Sequence, residues 1–71
     1  MMDFQPLWET MKRKNVSVYK LINKYGVSRG TIHKLKHNKN VTLETVGRLC
    51  EILDCQIQDI VIYKKNEEQE N

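Results

Sequence analysis

The sequence predicts an all-α bundle of four to five short helices, ending in a short segment that either extends as a strand or forms an ordered tail. Three observations predict it. Apolar residues recur at i, i+3, i+4 and i+7 in Phe4-Leu7-Trp8-Met11 and again in Val46-Leu49-Cys50-Leu53, and each set covers one face of a helix. Residues suited to capping a helix start (Asp3, Ser17, Ser28 and Thr42) precede the apolar stretches. One Pro and three Gly in 71 residues leave no linker-like stretch, and β-branched runs stay short until residue 60.

The elements follow in order. Asp3 is placed to cap a first helix whose first turn contains Pro6, where a missing N–H costs little. Lys12, Arg13 and Lys14 crowd its far end, which suits the helix dipole. Ser17 caps a second helix with Leu21, Ile22 and Tyr25 turned inward, and Gly26 stops it as a left-handed residue. Val27 follows as a buried turn residue. Ser28 caps a third helix running to about His37, with a narrow inward stripe of Ile32 and Leu35 and with Thr31 at its boundary. Arg29, His33, Lys34, Lys36 and His37 occupy the rest of that helix, and Asn38 stands where a left-handed stop is expected. Thr42 caps a fourth helix with Glu44 in its first turn. Asp54 and Cys55 break its pattern, and Ile57 and Ile60 suggest one more helical turn. Val61, Ile62 and Tyr63 either close the bottom of the core or pair with a second chain. The expected division is a domain over residues 1–63 and a charged, fraying tail over 64–71.

Charge is distributed unevenly. Residues 1–40 hold nine Lys and Arg against two acids, a balance of +7, whereas residues 41–71 hold three against seven, a balance of −4. A small domain with one basic half suggests a polyanionic partner. The longest apolar run, Ile60–Tyr63, is too short for a membrane span or a signal-peptide core. Seventy-one residues make one domain with a small core and leave no room for a separate substrate domain. Cys50 and Cys55 are five apart and read as free thiols in a reducing compartment.

The segment Ser17–Lys24, Tyr25-Gly26-Val27, Ser28–His37 reads as helix, short turn, helix. It has a small turn residue, a buried turn hydrophobe and a polar outer face on its second helix, which is what insertion of that helix into a DNA major groove requires. The stretch S-V-Y-K-L-I-N-K-Y-G-V-S-R-G-T-I-H-K-L-K-H-N, from Ser17 to Asn38, resembles the Cro/C1-type helix-turn-helix regulators of bacteria, phages and plasmids. The likeness continues through V-T-L-E-T-V-G-R-L-C-E-I-L-D-C, from Val41 to Cys55. The opening L-W-E-T-M-K and closing D-I-V-I-Y look like a compact subgroup, so the likeness spans roughly residues 4–63. The resemblance implies a lambda-repressor-like bundle that binds double-stranded DNA sequence-specifically and regulates transcription in the cytoplasm. Control is then expected through occupancy, contact with RNA polymerase or a partner protein. The chain departs from the family where many members carry Gln at the position of Val18, Ala at that of Ile22, and an acid and then Gly at those of Lys36 and Asn38.

The resemblance puts Arg29, Gly30, His33 and Lys34 at the base-reading face. Arg29 is the candidate for a bidentate bond to guanine, and Gly30 admits close approach at a cost to the helix of about 1 kcal/mol relative to Ala. Ser17, Ser28, Thr31, Lys36, His37, Lys39 and Asn40 read as phosphate contacts, which set register and affinity without reading sequence. Two half-sites one helical turn apart make a homodimer on DNA the expectation.

Rival readings attach to single features. His33 and His37 have the i, i+4 spacing of a metal pair but lack the usual four ligands, so no metal or cofactor is expected. Cys50 reads as core, and a redox role for the cysteine pair would need an activated thiolate that no neighbouring base supplies. Phe4 and Trp8 read as core rather than as a stacking platform for single strands. No nucleophile triad or phosphate loop indicates an enzyme. The rival from another class is a protein-interaction module, antitoxin-like or adaptor, on the same fold with DNA binding secondary or absent. A non-specific binder of RNA or single strands is a third.

Overall fold

A computed structural model describes residues 1–65. It contains strand β1 (Met2–Asp3), helices α1 (Gln5–Arg13), α2 (Val18–Asn23), α3 (Arg29–Lys36) and α4 (Leu43–Leu53), a 3-10 turn (Ile57–Asp59) and strand β2 (Ile62–Tyr63). The bundle is mostly helical, as the periodicity predicts.

The apolar faces meet in one core. Leu7 and Met11 of α1, Leu21 of α2, Ile32 and Leu35 of α3, and Val46, Leu49 and Leu53 of α4 are all buried, with Phe4, Val27 and Ile60 from the connections. Thr10 is buried among them and donates its hydroxyl to the Asp59 carbonyl at 2.7 Å, which fastens α1 to the 3-10 turn. A buried hydroxyl without such a partner would be destabilising.

Three helix starts are capped by the residues the sequence marks. Ser17 Oγ accepts from the Lys20 N–H at 3.0 Å, Ser28 Oγ from Thr31 at 3.0 Å, and Thr42 Oγ1 from Thr45 at 3.1 Å. Each such cap contributes about 1 kcal/mol. The first helix departs from expectation: its cap position is Phe4, without a capping side chain, and Asp3 lies one residue earlier, in β1. Asp3 still serves the helix start, because its Oδ1 accepts from the Gln5 N–H at 2.9 Å. The reason for the shift is an antiparallel pairing of β1 with β2, Met2 opposite Tyr63 and Asp3 opposite Ile62, which holds Asp3 extended.

That pairing shows where Ile62 and Tyr63 go within the chain: they do not close the core, since Ile62 is 40% and Tyr63 70% exposed. Ile62 and Tyr63 form a strand whose ladder partner is this chain's own Met2–Asp3. The Lys64 N–H extends the ladder to the Met1 carbonyl at 2.7 Å, and Lys64 Nζ lies 2.9 Å from Asp3 Oδ2. Lys64 of the expected tail is therefore part of the fold, while residues 66–71 lie outside the described residues.

Candidate nucleic-acid interface

The turn between α2 and α3 is built from the backbone upward. Gly26 takes φ +72°, a conformation that Cβ-bearing residues rarely adopt. The Val27 N–H then folds back to the Leu21 carbonyl at 2.9 Å, and the Val27 side chain is buried under the corner. Arg48, on α4, donates from Nη2 to the Tyr25 carbonyl and so braces the turn from outside. Lys24 Nζ sits 5.4 Å from the Tyr25 ring centre, within cation–π range. The bracing role of Arg48 was not readable from sequence, where it is one more cation 23 residues from its partner.

Helix α3 leaves the turn with Ile32 and Leu35 buried. At about 100° per residue, the side directly opposite those two carries Gly30, His33, Lys34 and His37. Arg29 and Lys36 lie on the flank beside Ile32, and Thr31 on the flank beside Leu35. All of these except half-buried Thr31 are exposed. The His33 and His37 rings touch, with centres 4.3 Å apart and planes tilted by 47°. His37, expected among the phosphate contacts, thus shares its stripe with Gly30 and His33. The helix contains no acidic residue. Lys64 pairs with Asp3, and among the described residues no carboxylate is paired with a cation of α3.

The remaining candidate residues fall into two groups. Ser28 donates its hydroxyl proton to Thr31 Oγ1 at 2.9 Å while capping α3, so these two hydroxyls form one unit at the start of the helix. Lys36, His37, Lys39 and Asn40 are exposed at its end and in the following loop. That loop is anchored: Asn38 takes φ +53° and its Oδ1 accepts from the Phe4 N–H at 2.8 Å, while the Lys39 N–H donates to the Lys34 carbonyl at 2.8 Å. Ser17 stands apart from both groups at the start of α2, where its hydroxyl oxygen serves the Lys20 N–H. Val18 is half-buried and packs against the core. It offers no side-chain hydrogen bond where many members of the resembled family carry Gln.

Cys50 and Cys55 are both free and half-buried. Burial is the main cause that raises the Cys55 thiol above its ordinary pKa, with Cys50 and Asp59 adding to it. A raised pKa keeps the thiol protonated, the opposite of activation. Among the described residues no group of three or more His, Cys, Asp or Glu is placed to hold a metal ion, and no helix is long and apolar enough to cross a membrane.

Comparison with known proteins gives the same account. The solved structure of the transcriptional regulator VanUg superposes with a TM-score of 0.82 at 29% sequence identity, covering 92% of this chain and 87% of that one. No curated protein matches the chain. The family model for the Cro/C1-type HTH DNA-binding domain matches residues 6–66, which takes in all four helices but for Gln5, the first residue of α1. With that match and with a glycine-cornered pair of helices presenting an acid-free outer stripe, the chain belongs to the Cro/C1-type helix-turn-helix DNA-binding family.

Proposed function

We propose that this DNA-binding domain is a sequence-specific regulator of transcription that reads double-stranded DNA with α3 in the major groove. The observation that carries the reading is the outward stripe of α3, free of carboxylates and fixed on the core by Ile32 and Leu35. The similarity to a protein described as a transcriptional regulator supports the regulatory role.

The roles follow from chemistry. Arg29 offers a planar fork of donors that matches O6 and N7 of guanine. Gly30 lets a base edge or sugar approach the helix backbone. His33 and Lys34 donate to acceptors in the groove. Ser17, Ser28, Thr31, Lys36, His37, Lys39 and Asn40 hold phosphates, and the basic loop compensates for the contact that Val18 cannot make. Two copies occupy two half-sites about one helical turn apart, as two-fold duplex sites favour. Promoter occupancy or contact with RNA polymerase in the cytoplasm then carries the regulation.

Selection of bound sequences from a random duplex pool tests this. The expected result is a single enriched motif whose binding weakens steeply with salt, with a log–log slope of about −0.9 per phosphate neutralised. Arg29→Ala should cost about 1–3 kcal/mol on that motif and relax preference at one base. Lys39→Ala should weaken all duplexes alike. An unenriched pool would overturn the reading in favour of a protein-interaction module on the same fold. Equal loss across all sequences from Arg29→Ala would remove it from the base-reading face.

A further inference from the structure

The far end of α4 carries a pair of side chains with no part in the DNA face. Asp54 takes φ +50°, and the chain reverses around it through two hydrogen bonds. The Asp54 N–H donates to the Glu51 carbonyl at 3.3 Å, and the Cys55 N–H donates to the Cys50 carbonyl at 3.0 Å. This is a Schellman stop, in which the residue after the left-handed position commonly folds its side chain back onto the residue whose carbonyl it bonds. Here those two residues are Cys55 and Cys50. Both thiols are free, both pack against the core, and Cys50 acts on Cys55 as a side-chain hydrogen-bond partner. Their spacing conceals this, because on an uninterrupted helix residues five apart point about 140° away from each other. Two charged groups act on the pair. Lys14, from the end of α1, holds Nζ 3.3 Å from the Asp54 carbonyl, and its charge reaches Cys55. The Asp59 carboxylate acts with the opposite sign and accepts from the Gln56 N–H at 3.0 Å.

We propose that Cys50 and Cys55 form a two-coordinate site for a soft monovalent cation, Cu(I), held between their sulfurs beside Lys14. Donor type and donor count lead to that class. Thiolates select soft metals. Two donors are too few for zinc, whose structural sites use four and whose catalytic sites use three. Calcium and magnesium need shells of oxygen. A cuprous ion is satisfied by two thiolates alone. Binding exchanges protons for metal: two thiols and one Cu(I) give one bis-thiolate centre of charge −1, and two protons pass to solvent. Copper stays Cu(I) and neither sulfur is oxidised. The Lys14 ammonium offsets the negative charge of that centre. Half-burial shields the copper from added ligands and still leaves it a way in. The bound ion would staple the end of α4 to the segment that leads into the 3-10 turn, and the Thr10 bond to Asp59 links that turn to α1. The site shares no residue with the DNA face, so it is tested without DNA.

Anaerobic titration of the full, reduced chain with Cu(I), in competition with a coloured cuprous chelator, tests the site. The expected result is one copper per chain. Native mass spectrometry should show that copper in place of two protons, on a single chain. X-ray absorption of the loaded wild type should show two sulfur neighbours and no oxygen or nitrogen, a readout that needs no variant. The melting temperature should rise with free Cu(I), as binding to the folded state requires. Cys50→Ser and Cys55→Ser should each abolish tight binding, and circular dichroism of each separates loss of the site from loss of fold. Lys14→Gln should weaken binding by about tenfold, the scale of an outer-shell partner, and Lys14→Arg should restore it. Copper retained by either serine variant overturns the proposal, as does a loaded centre with one sulfur neighbour. Zinc bound as tightly as Cu(I) overturns the two-coordinate assignment. One copper shared by two chains overturns the site within the chain, and so does conversion of the pair to a disulfide on adding Cu(I).

Discussion

The two halves of the fold solve opposite problems with the same element. Helix α4 has eleven residues, and Leu49 and Leu53 are almost fully buried within it. Helix α3 has eight, of which Ile32 and Leu35 alone are buried. The first helix exists to fill space. The second exists to present a surface, and two anchors would hold it loosely without help from outside. That help is polar and comes from its ends: the Ser28 cap, the Asn38 bond to Phe4, and the Arg48 brace on the turn before it. Changes in the scaffold should therefore register as stability, and changes on the outward stripe of α3 should register as binding.

The largest effect expected from breaking this division is in the scaffold. Leu49→Ala removes a side chain with 1% exposure, and large-to-small core changes of this kind cost about 2–5 kcal/mol. In a domain this small that is a large share of total stability, so urea denaturation should show a strongly lowered midpoint. On α3, His33→Ala should change stability by no more than about 0.5 kcal/mol, as exposed substitutions usually do, while weakening binding to the enriched duplex. Equal stability losses from the two substitutions would erase the division.

The corner between the regions comes next. Gly26→Ala forces a Cβ into φ +72°, although its nearest neighbour there, Arg48 Nη2, leaves room at 3.6 Å. The cost is thus one of backbone conformation, about 1–2 kcal/mol, and Gly26→Asn should recover part of it. Because the corner aims α3, affinity for DNA should fall as well, by more than the stability loss explains at temperatures where the variant is fully folded. A variant that loses stability and keeps full affinity would show that the corner supports the fold without aiming the helix.

What the sequence made legible follows the same division. Periodicity located α1 and α4, the caps and the Gly26 and Asn38 stops bounded α2 and α3, and hydroxyl chemistry located three of the four caps, because each signal lies within a few residues of what it organises. Gly26 and Asn38 were legible as left-handed stops for the same local reason. Asp3 was misplaced by one position because a two-residue strand has no period to read, and its partner lies at Ile62. The Arg48 brace and the Thr10 hydroxyl bond to Asp59 were hidden for that cause too: each joins residues far apart in sequence. On the candidate interface, residue types suggested which groups could meet DNA, whereas the shared stripe of His33 and His37 needed the angular position of each residue about the helix axis.

The smallest expected effect lies at the far edge of the scaffold, where the ladder closes. Lys64 hydrogen-bonds the Asp3 carboxylate and, with the Gln5 N–H, holds its pKa below the ordinary carboxylate value. A lowered folded-state pKa means that the folded chain binds the proton less readily than the unfolded chain. The stabilisation is therefore fully present above the unfolded value of about 3.9 and is lost as pH falls through the lower folded value. Lys64 is mostly exposed, so solvent and salt screen the pair. Asp3→Asn removes the charge while keeping an acceptor for the Gln5 N–H. Its melting temperature should lie slightly below that of the wild type at neutral pH, and the two curves should converge below the carboxylate range. The gap at neutral pH should narrow in high salt, since charge attraction is what the substitution deletes. A gap that persists unchanged into strong acid would assign the role of Asp3 to the shape of the helix start and leave Lys64 no part in it.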